Sequence, residues 1–193
     1  MRAKNKLVYG FGVNDADYAV KSGPANAQSC CPFYASWSGM IERCHSKKWL
    51  IKNPTYEGCS VCNEWLTFSK FRSWMEKQDW QGKHLDKDIL FEGNKIYSPE
   101  TCVFISPLTN TFANDYKNGR GKYLIGTDKH AQCNKFRSRC SNPFTGENEY
   151  LGLFLFERDA HMAWKRRKLQ HAKLIAAMKT DKRVAEALIR KYS

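Results

Sequence analysis

No run in this 193-residue chain is apolar for long enough to span a bilayer, because a transmembrane helix needs about 20 predominantly apolar residues. The opening does not resemble a secretory leader either. The opening "MRAKNKLVYGFGVNDADYAV" is basic, but Gly10, Gly12, Asp15 and Asp17 break it before an apolar core forms. Low-complexity tracts are also absent, and with 42% hydrophobic and 13% aromatic residues this excludes a disordered chain. The expectation is a folded cytoplasmic protein with no membrane partner, its 8 cysteines reduced. The length suits one ordinary domain or two small docked ones.

Acidic residues are scarce in one part of the chain only. Residues 116–193 hold 18 Lys and Arg against 7 Asp and Glu, whereas residues 1–115 hold 14 against 12. The net charge of +13 therefore belongs mainly to the C-terminal part, with a surplus of 11 there and 2 in the rest. A charge run is ordinarily just a solvated face, but an asymmetry of this size in a folded chain points to a polyanionic partner, nucleic acid first.

A second CxxC is another absence. Cys44, His45, Cys59 and Cys62 would suffice for a tetrahedral zinc site, the last two at knuckle spacing. With only one CxxC, and with Cys44 and Cys62 beside core-like residues, buried reduced thiols are favoured over zinc. Phe33, Trp37, Met40, Ile41 and Cys44 fall on one face of a helix entered through Pro32. Phe68, Phe71 and Met75 fit a second helix with Thr67 as its cap. At helical spacing these aromatics read as core before they read as a base-stacking platform.

The stretch "KHLDKDILFEGNKIYSPETCVFISPLTNTFAND", residues 83–115, reads as strand, turn, strand and helix. On a regular strand His84, Asp86 and Asp88 share one face and Leu85, Lys87 and Ile89 the other. "EGNK" supplies the turn, "TCVFIS" returns as a strand, and Ser106-Pro107 starts a helix that carries Asn110 and Asn114 on one face. Carboxylate and amide oxygens are hard ligands, suited to Mg²⁺ or Mn²⁺.

Over residues 33–115 the sequence resembles the HNH endonucleases of phages and mobile introns, through "WSGMIERC", "VCNEW", "LDKD", "GNKIYSPETC" and a late asparagine. Members bind one divalent ion on a ββα unit, and a histidine beside the strand Asp activates water. The resemblance implies Asp86 as strand ligand and Asn110 as helix ligand of one Mg²⁺ or Mn²⁺, with Asp88 and Asn114 as helpers. Lys87 stands where the general-base histidine belongs, and "YSPET" stands where the family has an asparagine, with Asn94 nearby in the turn. An ammonium has no lone pair with which to accept a proton, so His84 is the alternative base and Lys87 a candidate partner of the scissile phosphate.

From Lys122 the chain reads as three strands, "KYLIGTD", "NKFRSRC" and "NEYLGLFLF", and a helix over 158–179. In the second strand Lys135, Arg137 and Arg139 alternate with Phe136, Ser138 and Cys140, so one face is cationic and the other packs. Ala160, Ala163, Trp164 and Ile175 of the helix would cover the packed face, leaving a cationic sheet of a shape to lie in a major groove. Residues 120–178 resemble the Apetala, or ethylene-response-factor, DNA-binding domain through "NKFRSR", "YLGLF" and "RDAHMAW". That resemblance puts Lys129, Lys135, Arg137 and Arg139 forward as readers of double-stranded DNA. Lys117, Arg120 and Lys122 lie in a glycine-bearing basic connector suited to phosphates, and Val184, Ala185, Leu188 and Ile189 fit a closing helix.

The sequence thus predicts an α+β protein. An HNH-like ββα-metal domain with flanking helices (1–115) and a basic linker (116–122) precede a three-stranded antiparallel sheet packed on one helix (123–179) and a C-terminal helix (180–193). The function expected from the resemblance is a metal-dependent DNA endonuclease of the phage or homing kind. Its rival is a DNA-binding or regulatory protein that kept the fold and lost the base.

Overall fold

A computed structural model describes residues 7–24, 28–115 and 122–193. The chain forms two compact units, Met1–Ile105 and Ser106–Ser193. The architecture is mixed α+β, with a three-stranded antiparallel sheet in the second unit. Among the described residues no helix is long and apolar enough to cross a membrane.

The first unit opens with the short antiparallel pair β1 (Lys21–Ser22) and β2 (Ser29–Cys30), followed by α1 (Pro32–His45) and α2 (Lys47–Lys52). Then come β3 (Ser60–Val61), α3 (Phe68–Met75), β4 (His84–Asp86), β5 (Ile96–Tyr97) and β6 (Val103–Ile105). Strands β3 and β5 pair in parallel; β4 and β6 pair antiparallel, with Asp86 opposite Val103.

Helix α1 starts at Pro32 and buries Trp37, Met40, Ile41 and Cys44, the face expected from their spacing. Helix α3 buries Phe68, Phe71 and Met75 against it. Trp37 donates its indole N–H to the Trp65 carbonyl at 2.7 Å, which satisfies a polar group in the dry centre of this core. Thr67 occupies the N-cap position of α3, yet its side chain makes no capping bond. The N-terminal segment supplies the acceptors instead. Phe68 N donates to Val13 O at 3.0 Å and Ser69 N to Asp15 Oδ1 at 2.9 Å, so the irregular start of the chain is fastened to a helix end.

The second unit holds α4 (Pro107–Ala113), β7 (Thr127–Lys129), β8 (Phe136–Ser141), β9 (Asn148–Phe154), α5 (Glu157–Ala177) and α6 (Lys182–Tyr192). The sheet order is β7-β8-β9. Helix α5 packs on it through Ala160 and Trp164, and α6 turns Val184, Ala187, Leu188 and Tyr192 inward. Gly126, at φ +78°, lies flat against Trp164; a Cβ there would sit 2.1 Å from the indole Cγ.

The units divide at Ile105/Ser106, earlier than the 115/116 junction expected from sequence, and the reason is local. The end of α4 is held by α5 and α6. Lys168 Nζ donates to Phe112 O at 2.8 Å, lies 3.8 Å from the centre of the Phe112 ring and pairs with Asp115 at 3.2 Å. Tyr192 donates to the same carbonyl, and Lys179 donates to Ser106 Oγ at 3.1 Å. The cation and the hydroxyl on the Phe112 carbonyl supply donors that a helix C-terminus lacks.

Candidate functional site

Two places carry chemistry. In the first unit, β4 stops at Asp86 because the Asp86 carboxylate folds back on the chain. Its Oδ1 accepts from Asp88 N at 3.0 Å and Ile89 N at 2.7 Å, an Asx turn that ends the strand. The regular strand expected through Asp88 therefore does not form, and Asp88 lies beyond the β4–β6 ladder.

Lys87 departs furthest from expectation. It is 7% exposed, and its ammonium donates to Asp88 Oδ2 at 3.0 Å and to the Asn94 carbonyl at 3.1 Å, within 6 Å of the Tyr56 and Tyr97 rings. Asn94 completes the tie, donating Nδ2 to the carbonyls of Lys87 and Ile96, each at 2.7 Å. Burial pulls the Lys87 pKa down, but the charge and hydrogen bond of Asp88 more than offset this and leave it above the ordinary lysine value. The side chain is a charged internal brace of the 87–96 loop, with its lone pair occupied by a proton. Asn94, read from sequence as a substitute in the turn for the asparagine of the family that the sequence resembles, spends its amide on the same brace.

Asp86 is half-buried, and its pKa is raised, first by that burial and then by the neighbouring Asp88 charge, against the two backbone N–H bonds. Its Oδ2 has no hydrogen bond among the described residues. His84 is exposed at the start of β4. Asn110 and Asn114 belong to the second unit, Asn110 within α4 and Asn114 at its C-cap. The four expected ion ligands thus divide between the units, two in each. The donor chemistry of Asp86 and Asp88, two hard carboxylates two residues apart, fits a divalent cation. Among the described residues, however, no group of three His, Cys, Asp or Glu forms a metal cluster.

Cys44 and Cys59 lie near this loop, within electrostatic reach of Lys87. Cys44 is buried, and burial followed by the nearby Cys59 pushes its thiol up to about 12. His45 turns away to stack on Phe11 at 3.8 Å, and burial lowers its pKa. Cys62 is half-buried and its thiol is likewise raised by burial.

The second place is the open face of the β7-β8-β9 sheet. Ser138 and Cys140 are buried beneath β8, and Arg137 and Arg139 point the other way, as the alternation predicts. Both arginines meet on Asp128 of β7. Arg137 lies opposite Asp128 in register and binds it through Nε at 3.2 Å and Nη2 at 2.6 Å; Arg139 Nη2 reaches the other oxygen at 3.1 Å. These bonds hold the Asp128 carboxyl below its usual range and raise Arg137. Across β8 the same face continues as Leu153 opposite Arg137 and Tyr150 opposite Arg139, with Tyr150 61% exposed.

Residues 150 and 153 would lie on opposite faces of a regular strand. A bulge at this register, with Gly152 at φ +124°, inserts one residue and brings both to the cationic face. Lys135 is exposed just ahead of β8. Lys129 is opposite Phe136 in register, on the other face, with its ammonium 5.1 Å from the Phe136 ring centre. Lys122 is exposed, whereas Lys117 and Arg120 lie outside the described residues.

Sequence reasoning missed Asp128, Tyr150 and Leu153. Only the strand register and the bulge, neither of which has a local sequence signature beyond Gly152, bring them to the arginines. No protein-family model, curated protein or solved structure matches the chain.

Proposed function

We propose that the protein binds double-stranded DNA through the open face of its three-stranded sheet, laid into the major groove. The observation that carries this reading is the pair Arg137 and Arg139, oriented together by Asp128 beside the exposed Tyr150 and Leu153. Planar guanidinium donors match base-edge acceptors, and an exposed aromatic and an aliphatic side chain suit the thymine methyl and sugar surface. The surplus of 11 positive charges in residues 116–193 supplies the sequence-independent attraction. The test is a titration of duplexes by fluorescence anisotropy at several salt concentrations. The logarithm of the affinity should fall linearly with log salt, with a slope of about 0.9 per phosphate contact, and R137A and R139A should each cost about 1–3 kcal/mol on a selected site. Binding by the double variant equal to wild type would defeat the proposal.

A second reading, metal-dependent cleavage of the bound DNA, is favoured by one observation: the desolvated Asp86 beside Asp88, whose mutual repulsion a divalent ion would relieve. Asp86 would hold Mg²⁺ or Mn²⁺ through its Oδ2. Bound there, the ion would supply Lewis-acid polarisation of a phosphodiester. Lys87 acts in this reading as the brace of the loop that presents Asp86, and proton removal from water falls to another group. Plasmid nicking with Mg²⁺ or Mn²⁺, silenced by EDTA and by Asp86→Ala, supports it; an intact plasmid under every divalent ion removes it.

A further inference from the structure

The open sheet face contains a carboxylate where a DNA-binding surface would be expected to exclude one. Asp128 is two-thirds buried, lies on the edge strand β7 and engages both arginines at once. We infer that Asp128 is a specificity-determining residue, a built-in buttress that turns Arg137 and Arg139 from phosphate binders into readers of base edges. The inference rests on the DNA-binding reading given above.

An unrestrained arginine is a long, flexible cation whose Nε–Nη edge grips a phosphate in the same bidentate way as a carboxylate. In Arg137 that edge is already spent, Nε and Nη2 both being on Asp128. What remains is Nη1 and the outer hydrogen of Nη2, two donors side by side at the tip of the side chain. Such a tip fits a pair of adjacent acceptors on a base edge. Arg139 gives only Nη2 to Asp128 and keeps its Nε and Nη1. The carboxylate cancels the charge of one of the two arginines, which lowers the general pull on phosphates. It also fixes both guanidinium planes before DNA arrives, so less side-chain freedom is lost on binding. Tyr150 and Leu153 flank the pair on the next strand and leave the tips as the polar centre of an otherwise apolar strip.

A carboxylate that merely repelled DNA would, when removed, raise affinity for every duplex by the same factor. A buttress behaves differently, and the ratio of affinities separates the two. The experiment uses the full chain, a randomised duplex pool, and the sequence that wild type enriches from that pool. For Asp128→Ala, affinity for the pool should rise, its salt dependence should steepen by up to about one phosphate contact per released arginine, and the preference for the enriched sequence should shrink about tenfold or more. Asp128→Asn, which keeps the shape and one acceptor, should fall between, and it stands in for the alanine variant should that one lose its thermal transition. Equal factors on pool and enriched sequence, or an unchanged preference in both variants, overturn the inference while leaving DNA binding in place. Failure of wild type to bind any duplex overturns both.

Discussion

Replacing Lys87 by methionine isolates the internal brace of the first unit. The methionine keeps the aliphatic stem in its pocket near Tyr56 and Tyr97 and removes the ammonium. Two bonds are lost, at 3.0 Å to Asp88 and 3.1 Å to the Asn94 carbonyl. Bonds involving a charged group are worth about 1.5–3 kcal/mol each. Two terms reduce that sum. The Asp88 side chain is half exposed and recovers water, and a buried ammonium carries a desolvation cost that disappears with it. The net expectation is a loss of about 1–3 kcal/mol, which for a unit of this size lowers Tm by roughly 5–20 °C. Since the folded-state pKa of Lys87 is raised, its contribution is complete below the ordinary lysine pKa and is lost only as pH rises through the higher folded value. The deficit should therefore be constant across neutral pH. Thermal unfolding of wild type, K87M, N94A and the double variant measures it, and the double-mutant cycle should show a coupling of about 0.5–3 kcal/mol between the two positions. A K87M protein with unchanged Tm and no coupling to N94A would refute the brace. Lys87→His should destabilise at least as much, because the shorter ring does not span the gap to both acceptors.

In the second unit, Gly126→Ala should be severely destabilising, by more than about 3 kcal/mol, since the new methyl would meet the Trp164 ring at 2.1 Å on a backbone of positive φ; loss of the thermal transition or of soluble expression checks it. Glu149 accepts from Arg167, His171 and Asn142, and these bonds, Arg167 first, depress its pKa from an ordinary 4.5 to about 2. Its folded-state pKa being lowered, the stabilisation is full above the ordinary value and disappears as pH falls from there toward 2. Glu149→Gln should cost about 1.5–3 kcal/mol at neutral pH and nothing at the acid end, as chemical denaturation at several pH values would show.

Much of the fold was legible in the sequence. Pro32 and Ser106-Pro107 mark helix starts, the apolar spacing of Trp37, Met40, Ile41 and Cys44 marks a buried face, and the alternation from Phe136 to Cys140 marks a two-faced strand. What escaped depends on contacts distant in sequence or on backbone departures. A strand read over residues 84–90 ends at Asp86 because a carboxylate captures its own downstream amides. Lys87 reads as a surface residue by type, and the adjacent Asp88, the returning Asn94 and two tyrosines make a place for its charge indoors. Lys168, one of a run of four basic residues, is likewise seated on Phe112 and Asp115. At the sheet, alternation found Arg137 and Arg139. Asp128 joins them through strand register alone, and the bulge at Gly152 turns Tyr150 and Leu153 to one side against the period of the strand.

Backbone amide chemical-shift mapping of the full chain, titrated with a duplex at moderate salt, bears most directly on the sheet as the DNA-binding surface. The largest perturbations are expected at Asp128, Lys135, Arg137, Arg139, Tyr150 and Leu153, with little change at Trp37, Phe71 and the rest of the first unit's core. Perturbations confined to the outer faces of α5 and α6, or none at any residue with saturating duplex, would contradict the account.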